Sequence, residues 1–149
     1  MIVRRPRIDE LSGLSDLCFR SKAVWGYDQT FLEACRGELS FGQHDLEETH
    51  VAVAEQNGGI LGVVQVKVSS GEAELLKLFI EPHALRKGTG RVLFAWAAEV
   101  SRRKGASRMV IEADPDAAPF YSRLGARTAG GAPSGSIPSR LLPRLTFDL

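Results

Sequence analysis

The sequence predicts a mixed α/β fold, in which a central sheet of mixed strand direction carries helices on both faces. Two alternating, β-branched segments at residues 49–55 and 60–68 are joined by Asn57-Gly58-Gly59, which predicts an antiparallel hairpin. The apolar segment 73–80 is typical of a strand that is buried on both faces. After this segment of the chain, predicted helices and strands alternate, which indicates that the sheet also contains parallel strands. We expect the 149 residues to form a single domain over residues 1–149.

The first part of the chain predicts one strand and two helices. Residues 2–5 form a short strand that Pro6 ends. Asp9 then caps a helix with apolar residues at helical spacing, which are Leu11, Leu14, Leu17 and Cys18. Asp28 caps a second helix with a similar stripe, formed by Phe31, Leu32, Cys35 and Leu39. Residues 42–45 are predicted to be a loop.

The second part of the chain begins with the three strands described above, and helices and strands then alternate. A helix is predicted at residues 89–103, ended by Gly105, and a strand at residues 108–113. Pro115 then stands in the first turn of a helix over residues 115–124, and Gly125 is its C-cap. The remaining tail is rich in turn formers, and its final strand is predicted at residues 145–149.

Charge and composition exclude several classes of protein. The 19 Lys and Arg residues nearly balance the 18 Asp and Glu residues, so no overall field attracts nucleic acid or an anionic membrane. No apolar run is long enough to span a bilayer, and the first residues do not resemble a signal peptide, so we expect a cytoplasmic protein. Neither the two cysteines nor the three histidines have metal-site spacing, so no metal is expected.

The segment Arg86-Lys-Gly-Thr-Gly-Arg91 stands at the start of the predicted helix 89–103. A helix N-terminus presents unpaired N–H groups and the positive end of the helix dipole, both of which suit a phosphate. Glycine lets that backbone approach a ligand closely. The spacing matches neither a Walker A loop nor a dinucleotide fingerprint. Taken alone, the segment is therefore either an anion site or a plain helix start.

Two longer segments resemble the signatures of the GNAT acyltransferase superfamily. LFIEPHALRKGTGRVLFAWA resembles its coenzyme A signature, a strand followed by Pro and then Q/R-x-x-G-x-G/A at a helix start. EADPDAAPFYSRLGA resembles its second signature, N-x-x-A-x-x-F-Y-x-x-x-G-F. The sequence departs from the usual residues at Leu85, Asp116 and Ala126. The order of predicted elements is similar to the family's fold over nearly the whole chain.

This resemblance implies a mostly antiparallel sheet with two splayed parallel strands, and an N-acetyltransferase activity that uses acetyl-coenzyme A. The acetyl group would pass directly to a primary amine of a small molecule within a ternary complex, without a metal. Coenzyme A would lie against the main chain of Leu78, Phe79 and Ile80. Its remaining contacts would come from Arg86, Lys87, Gly88, Thr89, Gly90, Arg91 and Asp116. Such folds commonly dimerise through their last strands, so a homodimer is one expectation.

The resemblance also supplies two candidate catalytic residues. Tyr121 matches the family's tyrosine near the thiol, placed to protonate the departing sulfur. The alternative is a helix tyrosine with a buried ring and a solvated hydroxyl. Glu74 resembles the strand glutamate that deprotonates the amine, and strict alternation would put it on one face with Leu76, Leu78 and Ile80. A water relay is the alternative to Glu74.

The acceptor is expected beneath the connection between the first two helices. Trp25 and Tyr27 could wall a pocket or hold a cation there, and their alternative role is packing at the helix end. Glu81, at the mouth of strand 73–80, could meet an amine or remain a solvated charge. A second function on the same fold stays open, which is an acyl-coenzyme A-binding regulatory module without turnover. The identity of the acceptor amine does not follow from the sequence.

Overall fold

Seven strands form one sheet in the computed structural model, which describes residues 1–149. In chain order they are β1 (Ile2–Arg4), β2 (His50–Gln56), β3 (Gly59–Ser69), β4 (Glu72–Ile80), β5 (Arg108–Glu112), β6 (Arg127–Pro133) and β7 (Leu141–Asp148). Their order across the sheet is β1-β2-β3-β4-β5-β7-β6. Only β4 and β5 are parallel, and all the other neighbours are antiparallel.

Helices cover both faces of the sheet. They are α1 (Leu11–Ala23), α2 (Gln29–Cys35), α3 (Gln43–Glu48), α4 (Thr89–Arg103) and α5 (Ala118–Arg123). Single 3-10 turns precede α1 and follow β4. One core joins the α4 side of the sheet and includes Leu93, while a second core joins the α1 side and includes Leu14 and Leu17. The expected mixed sheet with helices on both faces is confirmed.

The alternation of β3 separates the two cores. Val64 and Val66 are completely buried on the α4 side, whereas Val63 is completely buried on the α1 side. Because successive side chains of a strand point to opposite faces, a strand buried on both faces needs apolar residues at every position. The apolar centre of β3 therefore joins the two layers.

The predicted loop at residues 42–45 is wrong, because α3 begins at Gln43. Gly42 is the N-cap, and its N–H donates to a carboxylate oxygen of Asp45 at 2.8 Å. Asp45 thus satisfies one of the free donors at the helix start, while its own N–H donates to the Gly42 carbonyl at 3.1 Å. The helix is only six residues long, so its apolar periodicity is too short to be recognised.

The tail also differs from its prediction. Residues 127–133 form β6 at the edge of the sheet, and β7 begins at Leu141, whereas a strand was predicted only at residues 145–149. The register of β6 shifts between Thr128 and Gly131, where Gly130 takes a φ of +88°. An edge strand tolerates such a bulge together with proline, so turn-forming residues do not exclude a strand there.

The parallel pair β4–β5 separates part of the way along its length. Pairing runs from Glu72 with Arg108 to Leu75 with Ile111, and it stops there. β4 continues to Ile80, and beyond Leu75 only its β3 side is paired. The splayed parallel strands expected from the resemblance are therefore present.

A β-bulge at Leu76 changes which face the β4 side chains occupy. Val66 pairs with Leu75, but Gln65 pairs with Lys77, so β4 carries one extra residue between them. Strict alternation predicted Glu74 on the same face as Leu78 and Ile80, and this prediction is wrong. Leu78 and Ile80 pack on the α4 side, as do Ala73 and Leu75, so Glu74 between the latter two points to the opposite face.

Candidate functional site

The opening between β4 and β5 leads into a cavity of about 740 Å³. Its walls come from the end of α1, from residues 75–80 of β4, from the turn before α4, and from α5. Both apolar and charged side chains line it, as is usual for sites that bind small molecules. A second concavity of about 670 Å³ lies near β1, where Arg4 forms ion pairs with Glu10 and Glu55. That second concavity has a predominantly polar lining, so the β4–β5 cavity is the better candidate site.

The turn before α4 exposes a continuous run of backbone donors. None of the N–H groups from Arg86 to Arg91 donates to a carbonyl or side chain of the protein, and the first helical bond is from Val92 N to Gly88 O at 3.1 Å. Arg86 and Gly88 have φ values of +61° and +87°, with right-handed or extended residues around them. Alternation of this kind turns successive N–H groups toward one point and forms a nest for an anion. The dipole of α4 adds to the attraction.

The two glycines of this turn have different roles. Gly88 takes a left-handed conformation, and a Cβ added to it would meet nothing within 4 Å. The left-handed backbone at this position therefore requires glycine, and the space beside its Cα is open to a ligand. A Cβ on Gly90 would lie 3.1 Å from the ring of Phe120. Gly90 thus allows α4 to pack closely on α5.

Basic and hydroxyl side chains surround this anion cradle, which we define as residues 86–91. Arg86, Lys87 and Arg91 are exposed and form no ion pair, and the two arginines also border the cavity. Thr89 is buried, and its Oγ1 is the one buried side-chain polar atom that lacks a hydrogen-bond partner. Free cations and free N–H groups fit a diphosphate better than they fit a plain helix start, whereas the Thr89 hydroxyl does not line the cavity.

Tyr121 closes the cavity from the α5 side. Its ring packs against Phe94 and Phe120, with ring centroids 6.0 Å and 5.1 Å away. Burial raises the pKa of its hydroxyl above the ordinary value, so the group stays protonated at neutral pH. No side chain or carbonyl of the protein hydrogen-bonds to this hydroxyl, and Tyr121 lines the cavity. The hydroxyl is therefore available as a proton donor to a ligand.

An ionic network forms another part of the cavity wall. The carboxylate of Asp114 accepts from the Tyr27 hydroxyl at 2.6 Å and from Lys22 Nζ at 3.2 Å. Arg140 donates to the Tyr27 hydroxyl at 3.0 Å and lies 3.6 Å from Asp114. The Tyr27 ring also stacks on Phe31 with centroids 4.2 Å apart. We call Lys22, Tyr27, Asp114 and Arg140 the Asp114 network.

The network shifts the titration of its members. Burial opposes the charged form of Asp114, but the Tyr27 hydrogen bond and the Lys22 charge outweigh burial, so the pKa of Asp114 is lowered. Burial, followed by the hydrogen bond to Asp114, raises the pKa of Tyr27 to about 12. Asp114 therefore stays ionised and Tyr27 stays protonated across the physiological range.

The other predicted acceptor residues take separate positions. Trp25 is 44% exposed and borders the cavity. Tyr27 belongs to the Asp114 network and is not on the cavity wall. Glu81 pairs with Arg20 at 2.7 Å and borders the second concavity. Glu74 is exposed and lies outside the β4–β5 cavity.

The coenzyme A candidates lie together along one side of the cavity. The wall includes Leu78, Phe79, Ile80, Arg86, Gly88, Gly90, Arg91 and Asp116. Asp116 is exposed, and its N–H donates to Asp114 at 3.3 Å. Counted back from Phe120 and Tyr121, the Asn position of the second signature falls on Asp114 rather than on Asp116. Asp114 was not among the predicted site residues, so its place in the ionic network is new.

Lys77 is a site residue that sequence reasoning missed. It lines the cavity, and its Nζ donates to Gln65 Oε1 at 2.9 Å and lies 4.5 Å from the centroid of the Phe41 ring. Burial lowers its pKa. The signal was present in the sequence, because a lysine inside the apolar stretch AELLKLFI must either be desolvated or face a cavity. Lys22 and Arg140 gave no such signal, since they are far apart in the sequence.

Comparison with known families gives one match. Residues 47–125, more than half of the chain, match the family model described as an acetyltransferase (GNAT) domain. No curated protein matches the chain by sequence. No group of three or more His, Cys, Asp or Glu side chains is arranged to hold a metal ion, and no helix has the length and apolar character needed to cross a bilayer.

Several solved structures share the fold over nearly the full length. The PaiA N-acetyltransferase from Thermoplasma acidophilum, solved in complex with coenzyme A, has a TM-score of 0.80 and 17% identity, over 99% of this chain and 98% of that one. An aminoglycoside 6'-N-acetyltransferase complexed with coenzyme A has a TM-score of 0.74 and 16% identity, over 99% of this chain and 97% of that one. The ribosomal-protein-S18-alanine N-acetyltransferase from Escherichia coli has a TM-score of 0.69 and 17% identity, over 97% of this chain and 90% of that one.

We expect Gly88→Val to weaken coenzyme A binding by tenfold or more, or about 1.4 kcal/mol, because the cradle cannot keep its left-handed turn. Gly71→Val is the matched control, since Gly71 has a φ of +80° and open space but lies in the β3–β4 turn. Both variants should lose stability in urea unfolding, and only Gly88→Val should lose affinity in calorimetry. Equal affinity in the two variants would remove the cradle from the binding site.

We expect Asp114→Asn to destabilise the fold by about 3 kcal/mol at neutral pH, because it leaves Lys22 and Arg140 without their carboxylate. The folded-state pKa of Asp114 is lowered, so its contribution is present above the unfolded-state pKa near 4 and is lost as pH falls through the folded value. Urea unfolding of the wild type and the variant should therefore converge in acid. Asp148→Asn, at an exposed pair with Arg127, should change stability by under about 0.5 kcal/mol.

Proposed function

The chain belongs to the GNAT acetyltransferase family, and from this membership we propose that residues 1–149 act as one acetyl-coenzyme A-dependent N-acetyltransferase domain. The proposed acceptor is a primary amine of a small molecule, acetylated by direct attack within a ternary complex. One observation carries the proposal. A single cavity joins the anion cradle, the unpaired edge of β4 and the Tyr121 hydroxyl.

The residues on this cavity suit acetyl-coenzyme A. The free N–H groups of the cradle, with Arg86 and Arg91, would hold the diphosphate, and Lys87 would add charge from outside the cavity. The main chain of Leu78, Phe79 and Ile80 lies beyond the last β4–β5 pair, so an amide-bearing arm could bond to it as a further strand would. The bound co-substrate supplies an acetyl group activated as a thioester.

Tyr121 is proposed as the proton donor to the departing sulfur. Its raised pKa keeps the hydroxyl protonated at neutral pH, and the hydroxyl has no partner within the protein. A donor held on a buried, packed ring needs little reorganisation when negative charge develops on the sulfur. A thiolate with a pKa near 8.5 also leaves without strong assistance, so Tyr121 speeds the reaction without being indispensable.

A small acceptor is favoured by the size of the cavity. About 740 Å³ must hold both the reactive end of the co-substrate and the acceptor. Trp25 borders this space as a hydrophobic wall, while Tyr27 acts indirectly by holding Asp114 and Arg140 in place. Glu74 and Glu81 lie outside this cavity, so of the two routes open from the sequence, Glu74 or a water relay, we assign removal of the amine proton to the relay.

The proposal is tested by measuring thiol release from acetyl-coenzyme A over a panel of small primary amines, including amino acids, polyamines and aminoglycosides. Release that depends on one class of amine, with the matching acetamide detected by mass spectrometry, is the expected result. Tight binding of acetyl-coenzyme A with no release for any amine would instead favour the non-catalytic acyl-coenzyme A-binding module.

We expect Tyr121→Phe to lower kcat by about a hundredfold, the low end of the contribution of a positioned general acid, because the thiolate is a competent leaving group. The affinity for acetyl-coenzyme A should stay near the wild-type value, because the ring and its packing remain. Steady-state kinetics and calorimetry on the same preparations separate the two effects. An unchanged kcat would reduce Tyr121 to a packing role.

A further inference from the structure

Lys77 lines the cavity and has no carboxylate partner. Its Nζ donates to the neutral side-chain oxygen of Gln65 at 2.9 Å, lies 4.5 Å from the Phe41 ring centroid, and forms no ion pair. Burial lowers the pKa of Lys77, and this effect is opposed only in part by the negative charges of Asp45 and Glu38. A larger share of this amine is therefore neutral than at an exposed lysine.

The hydrogen bonds of Gln65 fix the position of the Lys77 amine. Gln65 is buried, and its amide nitrogen donates to Asp45 Oδ1 at 3.0 Å and to Thr49 Oγ1 at 3.1 Å. With its N–H groups directed to α3 and to Thr49, its oxygen faces Lys77. An amide oxygen accepts a hydrogen bond from either form of the amine and does not require the charged one.

Lys22 provides a contrast within the same cavity. Its Nζ lies 3.2 Å from the Asp114 carboxylate and forms an ion pair with it. Both lysines line the cavity, and only Lys77 lacks such a pair. Of the two amines, Lys77 is therefore the one available as a nucleophile.

The position of Lys77 on β4 brings its side chain near the reactive end of the proposed co-substrate. The anion cradle follows the Ile80 end of β4 after a short 3-10 turn, and the unpaired edge runs back from Ile80 to Leu76. Four residue steps along a strand cover about 13 Å, so an arm that pairs along the whole of this edge reaches Leu76 and Lys77. This step rests on the proposed function.

We propose that Lys77 is itself an acetyl acceptor in this cavity, so that the protein acetylates its own lysine when acetyl-coenzyme A is bound and no external amine is present. The Nζ lone pair attacks the thioester carbonyl carbon, a C–N bond forms and the C–S bond breaks. The proton that Nζ loses goes to the departing thiolate, which leaves as the free thiol. The acetyl-lysine product stays in the cavity and occupies acceptor space, so the modification limits turnover.

The test incubates the full chain with acetyl-coenzyme A and no amine, followed by peptide mass spectrometry and thiol measurement over time. We expect one acetyl group at Lys77 and an equal amount of free thiol. Lys22 and the exposed Lys67 should remain unmodified over the same period. Excess coenzyme A should slow the reaction by competing for the groove. Lys77→Met, which keeps an apolar stem, should accept no acetyl group, while Lys67→Met should behave as the wild type.

A second reagent tests the amine without the co-substrate. Acetic anhydride in limiting amount at neutral pH should modify Lys77 faster than Lys22, because burial lowers the pKa of Lys77 and Lys22 is held in an ion pair with Asp114. Calorimetric binding of acetyl-coenzyme A with no acetylation at Lys77 would overturn this inference and leave the proposed function standing. Equal acetylation of Lys77 and Lys67 would also overturn it. Absence of acetyl-coenzyme A binding would overturn both proposals.

Discussion

The end of pairing between β4 and β5 is the constraint on which the site depends. Past Leu75 and Ile111 the two parallel strands separate, and the β4 edge loses its hydrogen-bond partners on that side. Unpaired backbone groups inside a protein are costly unless a ligand or water satisfies them. The opening also lets one cavity reach both faces of the sheet, so that Tyr121 from α5 and Lys77 from β4 line the same space.

Each end of the opening is held by a different kind of interaction. At the Ile80 end, the left-handed turn at Gly88 and the close α4–α5 contact at Gly90 aim free N–H groups into the cavity. Beside the end of β5, the Asp114 network ties α1, the residues after β5 and the residue before β7 together through one carboxylate. The bulge at Leu76 lies between these ends and directs Lys77 toward the α1 side.

Much of the fold followed from local patterns, whereas parts of the site did not. Helix 89–103 and the strands before it were predicted closely because their periodicity and their flanking glycines agree. Glu74 was assigned to the wrong face because one extra residue in β4 reverses the alternation, and only pairing with β3 reveals that residue. The cradle could be found from its glycines, and Lys77 from its apolar neighbours. The contact between Arg140 and Tyr27 joins residues that no local pattern connects.

Hydrogen exchange of the backbone amides tests most directly whether the β4–β5 opening is a coenzyme A groove. Exchange should be measured by mass spectrometry on the full chain, with and without saturating coenzyme A. We predict strong protection in peptides covering residues 76–80 and 86–91, and no change across the edge strand β6. Saturable binding that leaves residues 76–80 and 86–91 unprotected would contradict the account, because the ligand would then lie elsewhere.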